Sequence, residues 1–143
     1  ILSAFVVNLG NRQALQVGNY AGFIAKYDQN GHLEYLREQV AHQQNPVGDP
    51  VEGLEHLVFN VNRTRLDYAV VNGFHLADRL VLFVQHYGEN RQQTLDFYTL
   101  SDGSYQYSYK LENSFRDLFI GKDGLIAGLI SDGTLYLYQT KNL

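Results

Sequence analysis

Histidine, aspartate, serine and arginine are the residues of this chain whose chemistry and spacing can be weighed directly. The five histidines are His32, His42, His56, His75 and His86. None lies in an H-x-x-x-H or H-E-x-x-H spacing, so no local zinc signature exists. They read as turn or rim residues. Asp28, Asp78, Asp102, Asp123 and Asp132 sit in or beside turns, where a carboxylate accepts hydrogen bonds from nearby backbone N–H groups. Asp28-Gln29-Asn30-Gly31 resembles the opening of a calcium loop. It lacks the remaining ligands and the closing glutamate, so it reads as a hairpin turn. Ser3, Ser101, Ser104, Ser108, Ser114 and Ser131 include none in G-x-S-x-G, and neither a Walker sequence nor G-x-G-x-x-G occurs. Catalytic residues are therefore unassigned, and no metal or cofactor is expected. A pair of carboxylates drawn from separate strands into a cleft, as a glycosidase needs, has no sequence signature and stays open.

The basic residues offer a binding chemistry. Arg63 and Arg65 precede an apolar strand, and Arg116-Asp117 opens another. Guanidinium groups gathered at one end of a sheet hold carboxylate or phosphate through paired N–H donors. With His86 and Arg91, which flank the turn Gly88-Glu89-Asn90, these form the candidate ligand-binding set.

Composition bounds the rest. The 143 residues are 45% hydrophobic and 18% charged, which is globular rather than disordered. The net charge of −4, with 11 scattered Lys and Arg, argues against a general nucleic-acid surface. There is no cysteine, which removes disulfides, thiol catalysis and Cys-based metal sites. No apolar run approaches the ~20 residues of a membrane-spanning helix.

Elements that position these residues are strands. Ser3–Asn8, Gly22–Asp28, His32–Val40, Leu66–Val71, Arg79–Tyr87, Gln93–Leu100, Ser104–Leu111, Phe115–Gly121, Leu125–Ile130 and Thr134–Thr140 alternate or run apolar between turn residues. Leu33–Gln43 is the best helical candidate and is assigned to a strand, because Tyr35 and Tyr107 fall at the same place after their turns. Three strands end in tyrosine, at Tyr27, Tyr98 and Tyr138. Asp78 and Asp123 lie 45 positions apart, and so do Gly88 and Gly133. A period near 45 with four strands per unit is the pattern of a β-propeller. The units are residues 1–40, 66–111 and 112–143, joined across a long linker loop at 41–65. The first unit is expected to have three strands, with a long connection at Gly10–Asn19 and no innermost strand. Together they make about two and a half to three blades.

Leu95-Asp96-Phe97-Tyr98-Thr99-Leu100, Asp102-Gly103-Ser104-Tyr105, Ser108-Tyr109-Lys110-Leu111, Phe115-Arg116-Asp117-Leu118, Asp123-Gly124-Leu125-Ile126 and Gly133-Thr134-Leu135-Tyr136 carry a resemblance. Upstream, Phe23-Ile24-Ala25-Lys26-Tyr27-Asp28 with Asn30-Gly31 adds to it. The chain resembles the C-terminal blades of six-bladed β-propellers of exported Bacteroidetes proteins, which are similar to TolB-like and NHL-repeat propellers. That resemblance implies a place in the cell envelope or outside the cell. The expected function is a non-enzymatic binding scaffold that offers a loop face to a protein, peptide or glycan. A polysaccharide- or peptide-acting hydrolase or lyase, with its site at the channel mouth, is the first alternative. A half-ring completed by self-association is the second, and missing N-terminal blades would complete the ring in the former cases.

Overall fold

A computed structural model describes residues 4–41, 48–50, 59–61, 67–87 and 91–139, with the backbone alone at 48–50 and 59–61. Every regular element among the described residues is a strand. Sheet 1 is an antiparallel meander of β1 (Ala4–Gly10), β2 (Gln13–Gly18), β3 (Phe23–Tyr27) and β4 (Leu33–Glu38). β5 (Gly48–Pro50) and β6 (Phe59–Val61) pair within the segment expected to be a linker loop. Sheet 2 repeats the four-stranded meander with β7 (Tyr68–Leu76), β8 (Arg79–His86), β9 (Gln93–Thr99) and β10 (Tyr105–Lys110). Sheet 3 contains β11 (Asp117–Ile120), β12 (Leu125–Leu129) and β13 (Leu135–Gln139). The all-β, antiparallel class is as expected.

The first unit differs from its expected form. It has four strands, because β2 occupies the stretch assigned to a long connection. Ser3–Asn8 therefore marks the first strand of its sheet, not the second. The cause is a two-residue turn. Gly10 pairs with Gln13, and Asn11 (φ 48°) and Arg12 (φ 62°) both take positive φ, as a type I′ hairpin requires. Asn-Arg lacks the glycine that usually announces such a turn. The glutamines of Gln13-Ala14-Leu15-Gln16-Val17 further hide a strand whose Leu15 and Val17 are fully buried.

Sheet 2 lies between the other two. Val7, Leu15, Val17, Ile24 and Tyr35 of sheet 1 pack on Tyr68, Val70, Leu80, Leu82, Val84 and Tyr98 of sheet 2. From the opposite face of sheet 2, Phe74, Leu76, Val81, Phe83, Leu95 and Phe97 meet Leu118, Ile120 and Ile126 of sheet 3, with Phe115. β7 serves both cores by a bulge. Val70 pairs with Val84 but Asn72 with Phe83, so Val71 is an extra residue. Alternation alone would hold Tyr68, Val70, Phe74 and Leu76 on one face; the inserted residue turns the last two to the other. The first strands of the sheets are neighbours, β1 against β7 and β7 against β11. Gly73 permits the first approach. A Cβ there would stand 2.9 Å from Phe5 Cε2 and 3.0 Å from Val7 Cγ2.

Candidate functional site

At one end of the sheets, residues that follow β2 and β8 are tied to the next sheet. Asn19, just beyond β2, accepts a hydrogen bond from Val70 N through its backbone carbonyl (2.9 Å) and donates one from its side-chain Nδ2 to Val70 O (2.9 Å). Gln93, at the start of β9, makes the equivalent tie at the next junction with its side chain alone. Its Oε1 accepts from Phe115 N and its Nε2 donates to Phe115 O, both at 2.7 Å, and Nε2 also reaches Gln85 Oε1 at 2.7 Å. Both polar groups of a residue in or just before the next sheet's first strand are thus paired, by the backbone and side chain of Asn19 at one junction and by the Gln93 side chain alone at the other. Neither Asn19 nor Gln93 is distinctive in sequence. The one available signal is an amide directly after a buried strand or turn.

The candidate ligand residues divide against this frame. Arg63 and Arg65 lie outside the described residues. Arg91 is exposed in the connection between β8 and β9. Arg116 and Asp117 are exposed at the start of β11 and form an ion pair, Nε to Oδ2 at 3.5 Å. Phe115, held by Gln93, is the residue before Arg116, so the clamp brings Arg91, Arg116 and Asp117 to the same end. His86 closes β8 there, its backbone N–H donating to Gln92 O at 2.9 Å. Its ring is half-buried, with Nε2 3.2 Å from Thr94 Oγ1.

That contact belongs to a polar chain across sheet 2. Thr94 Oγ1 donates to Asp96 Oδ1 (3.0 Å), Ser108 Oγ donates to the same oxygen (2.6 Å), and Tyr105 OH lies 3.0 Å from Ser108 Oγ. Asp96 is only 2% exposed. A His, a Ser and an Asp share one network, but not as a nucleophile–base–carboxylate relay. The serine proton is committed to the carboxylate, and the histidine touches a threonine rather than the serine. The arrangement satisfies a buried carboxylate, as burial of a charge demands.

The other histidines and the turn aspartates have local partners. His75 Nε2 is 2.7 Å from Ala77 O, and His32 Nδ1 is 3.3 Å from Asp28 Oδ2. His42 and His56 lie outside the described residues. Asp28 accepts from Asn30 N and His32 N, Asp123 from Leu125 N, and Asp132 from Thr134 N. Asp102 accepts from Thr99 Oγ1, Ser104 N and Ser104 Oγ. Those bonds, the one from Thr99 foremost, hold its carboxyl down at about 2. Asp78 is the exception, with only a long contact to Arg79 at 3.9 Å. Among the described residues, no three His, Cys, Asp or Glu gather to hold a metal ion.

The terminal tyrosines join neighbouring sheets. Val40 N, just past sheet 1, donates to Tyr98 OH of sheet 2 at 2.9 Å. Asn113 Nδ2, just past sheet 2, donates to Tyr138 OH of sheet 3 at 3.1 Å. Burial raises the Tyr98 phenol well above its ordinary value, and burial likewise raises Tyr35, to about 12. Tyr27 of sheet 1 bonds within its own sheet, to Gln16 Oε1 at 3.3 Å. No protein-family model matches the chain, and no curated protein matches it.

Proposed function

We propose that the chain is a non-enzymatic binding scaffold of β-propeller blades, which presents its clamped loop end to an anionic protein, peptide or glycan. The observation that carries this is the paired clamp, Asn19 on Val70 and Gln93 on Phe115. It fixes the connections against the first strands, so residues on them are held in place before a ligand arrives, which lowers the ordering cost of binding. Arg91 and Arg116 are exposed on that end, and guanidinium groups recognise carboxylates with paired donors. The blade reading is supported by the repeated meander, the adjacency of β1, β7 and β11, and the tyrosine links between successive sheets. The resemblance to six-bladed envelope propellers is the ground for proposing a setting in the cell envelope or outside the cell.

A glycan and peptide array probed with the chain tests this. Binding to acidic members is expected, with a loss of at least tenfold on replacing Arg63, Arg65, Arg91 and Arg116 together by alanine. Binding that the four substitutions leave unchanged overturns the assignment.

A further inference from the structure

Among the described residues, the two end sheets each have one face without a packed neighbour, and the faces are of opposite kinds. Each internal contact joins the forward face of one sheet to the rear face of the next: sheet 1 to sheet 2, then sheet 2 to sheet 3. What remains is the forward face of sheet 3 and the rear face of sheet 1.

On sheet 3, cross-strand pairing puts Leu129 beside Leu135, and Phe119 and Leu137 on either side of Ala127. Ile126, Leu118 and Ile120 point the other way, into the core with sheet 2. The forward face is thus mainly aliphatic and aromatic, with Asp117 beside Leu129 at one end and Gln139 beside Leu125 at the other. Leu137 stands one place before the terminal tyrosine, as Phe97 does in β9. Phe97 is fully buried, beneath sheet 3 and a ring of β10, whereas Leu137 is 63% exposed. Leu135 and Phe119 are exposed to a similar degree.

On sheet 1, one row runs Val6, Gln16, Ala25 and Leu36, and the next contains Asn8, Ala14, Tyr27 and Leu33. Both rows back onto the face that carries Leu15, Val17 and Ile24. Val6 is 68% exposed, and Leu33 and Leu36 are exposed as well. Like the rear face of sheet 2, which sets Tyr98, Thr94 and Asp96 among Leu80, Leu82 and Val84, it mixes aliphatic, polar and tyrosine side chains. Tyr27 faces the same way as Tyr98 and Tyr138, yet lacks their link to a preceding sheet.

We propose that the forward face of sheet 3 packs on the rear face of sheet 1 of a second copy, continuing the internal sheet-to-sheet contact head to tail. This rests on the blade reading above. If the inter-sheet step is that of a six-bladed ring, two copies of three sheets close on each other through two identical contacts, and no apolar end face remains open. Exposed contiguous apolar surface of this kind otherwise marks an interaction site or an aggregation hazard.

Light scattering on the purified chain at high micromolar concentration reads the association directly. The expected mass is twice the 16.3 kDa of one chain. Val6→Glu blocks the rear face and Leu137→Glu the forward face; both sites are exposed, and circular dichroism with a cooperative melt checks that each variant folds. Each variant alone is expected to be monomeric. Mixed, they are expected to form a heterodimer, because the forward face of one and the rear face of the other are intact. Leu36→Glu and Leu135→Glu provide a second pair. A monomeric parent chain overturns the proposal. A dimer that Leu137→Glu abolishes and Val6→Glu leaves intact also overturns it, since that is a symmetric contact of sheet 3 with itself. Either result leaves the loop-end reading to the arginine variants, which are scored on ligand binding alone.

Discussion

At the scale of single residues, the buried amides matter more than the groups that are reactive in solution. Gln93 is 6% exposed and satisfies both polar groups of Phe115. Replacing it by alanine strands a buried N–H and a buried C=O, each costing about 1–3 kcal/mol. Gln93→Ala is therefore expected to lose about 2–4 kcal/mol in urea unfolding, whereas Gln92→Ala next to it stays within about 0.5 kcal/mol. Equal effects at the two positions would mean that the clamp contributes nothing. The contrast also shows which residues sequence can expose. Asp28, Asp102, Asp123 and Asp132 are legible as turn carboxylates because their partners lie within a few positions. Gln93 and Asp96 are not, because Ser108 reaches Asp96 only through strand pairing and Phe115 meets Gln93 only at the junction of two sheets. Arg116 is legible as a loop charge, and its ion pair with Asp117 is local for the same reason.

Elements depend on their turns, and there legibility follows glycine. Asn30-Gly31, Asp102-Gly103 and Asp132-Gly133 mark their hairpins, and Gly31, Gly103 and Gly133 do take positive φ. Asn11-Arg12 carries no such mark, so β2 was hidden. Ala77 is the instructive intermediate. It links β7 and β8 in a two-residue turn at φ 53°, a region that costs an L side chain roughly 1–2 kcal/mol. Glycine removes that strain but adds about 0.5–1 kcal/mol of chain entropy to the unfolded state. Ala77→Gly is thus expected to stabilise by about 0.5–1 kcal/mol, seen as a higher Tm. Ala77→Val, which adds a β-branch at positive φ, is expected to lower it. A Tm that falls for glycine would show that the turn is not strained. The bulge at Val71 has a weaker mark: Asn72-Gly73 follows it inside the strand, but only pairing with β8 fixes which residue is extra.

For the whole molecule, the 45-residue spacing is legible between sheets 2 and 3, whose first hairpins turn at Asp78 and Asp123, whereas sheet 1 stands off that spacing and β5–β6 left no mark. Which sheet is covered on both faces is a property of the stack and has no counterpart in any one repeat. Among the described residues, sheet 2 alone has packed neighbours on both sides, and Leu80, Val81, Leu82, Phe83 and Val84 of β8 are each buried to within 1%. β4 and β13, by contrast, are outer strands whose side chains are largely exposed. Local opening needs the least apolar surface to be uncovered where contacts are fewest, so exchange of backbone hydrogens grades with this coverage. In dilute solution, amides of β8 and β9 are expected to exchange slowest, at rates set by global unfolding, and those of β4 and β13 to exchange much faster. Raising the protein concentration is then expected to slow β13 and the outer amides of sheet 1 while leaving β8 unchanged, because only the end faces gain a neighbour on association. Uniform protection across all three sheets in dilute solution would refute the graded stack. Protection of β13 that ignores concentration would count against the head-to-tail contact while leaving the stack itself intact.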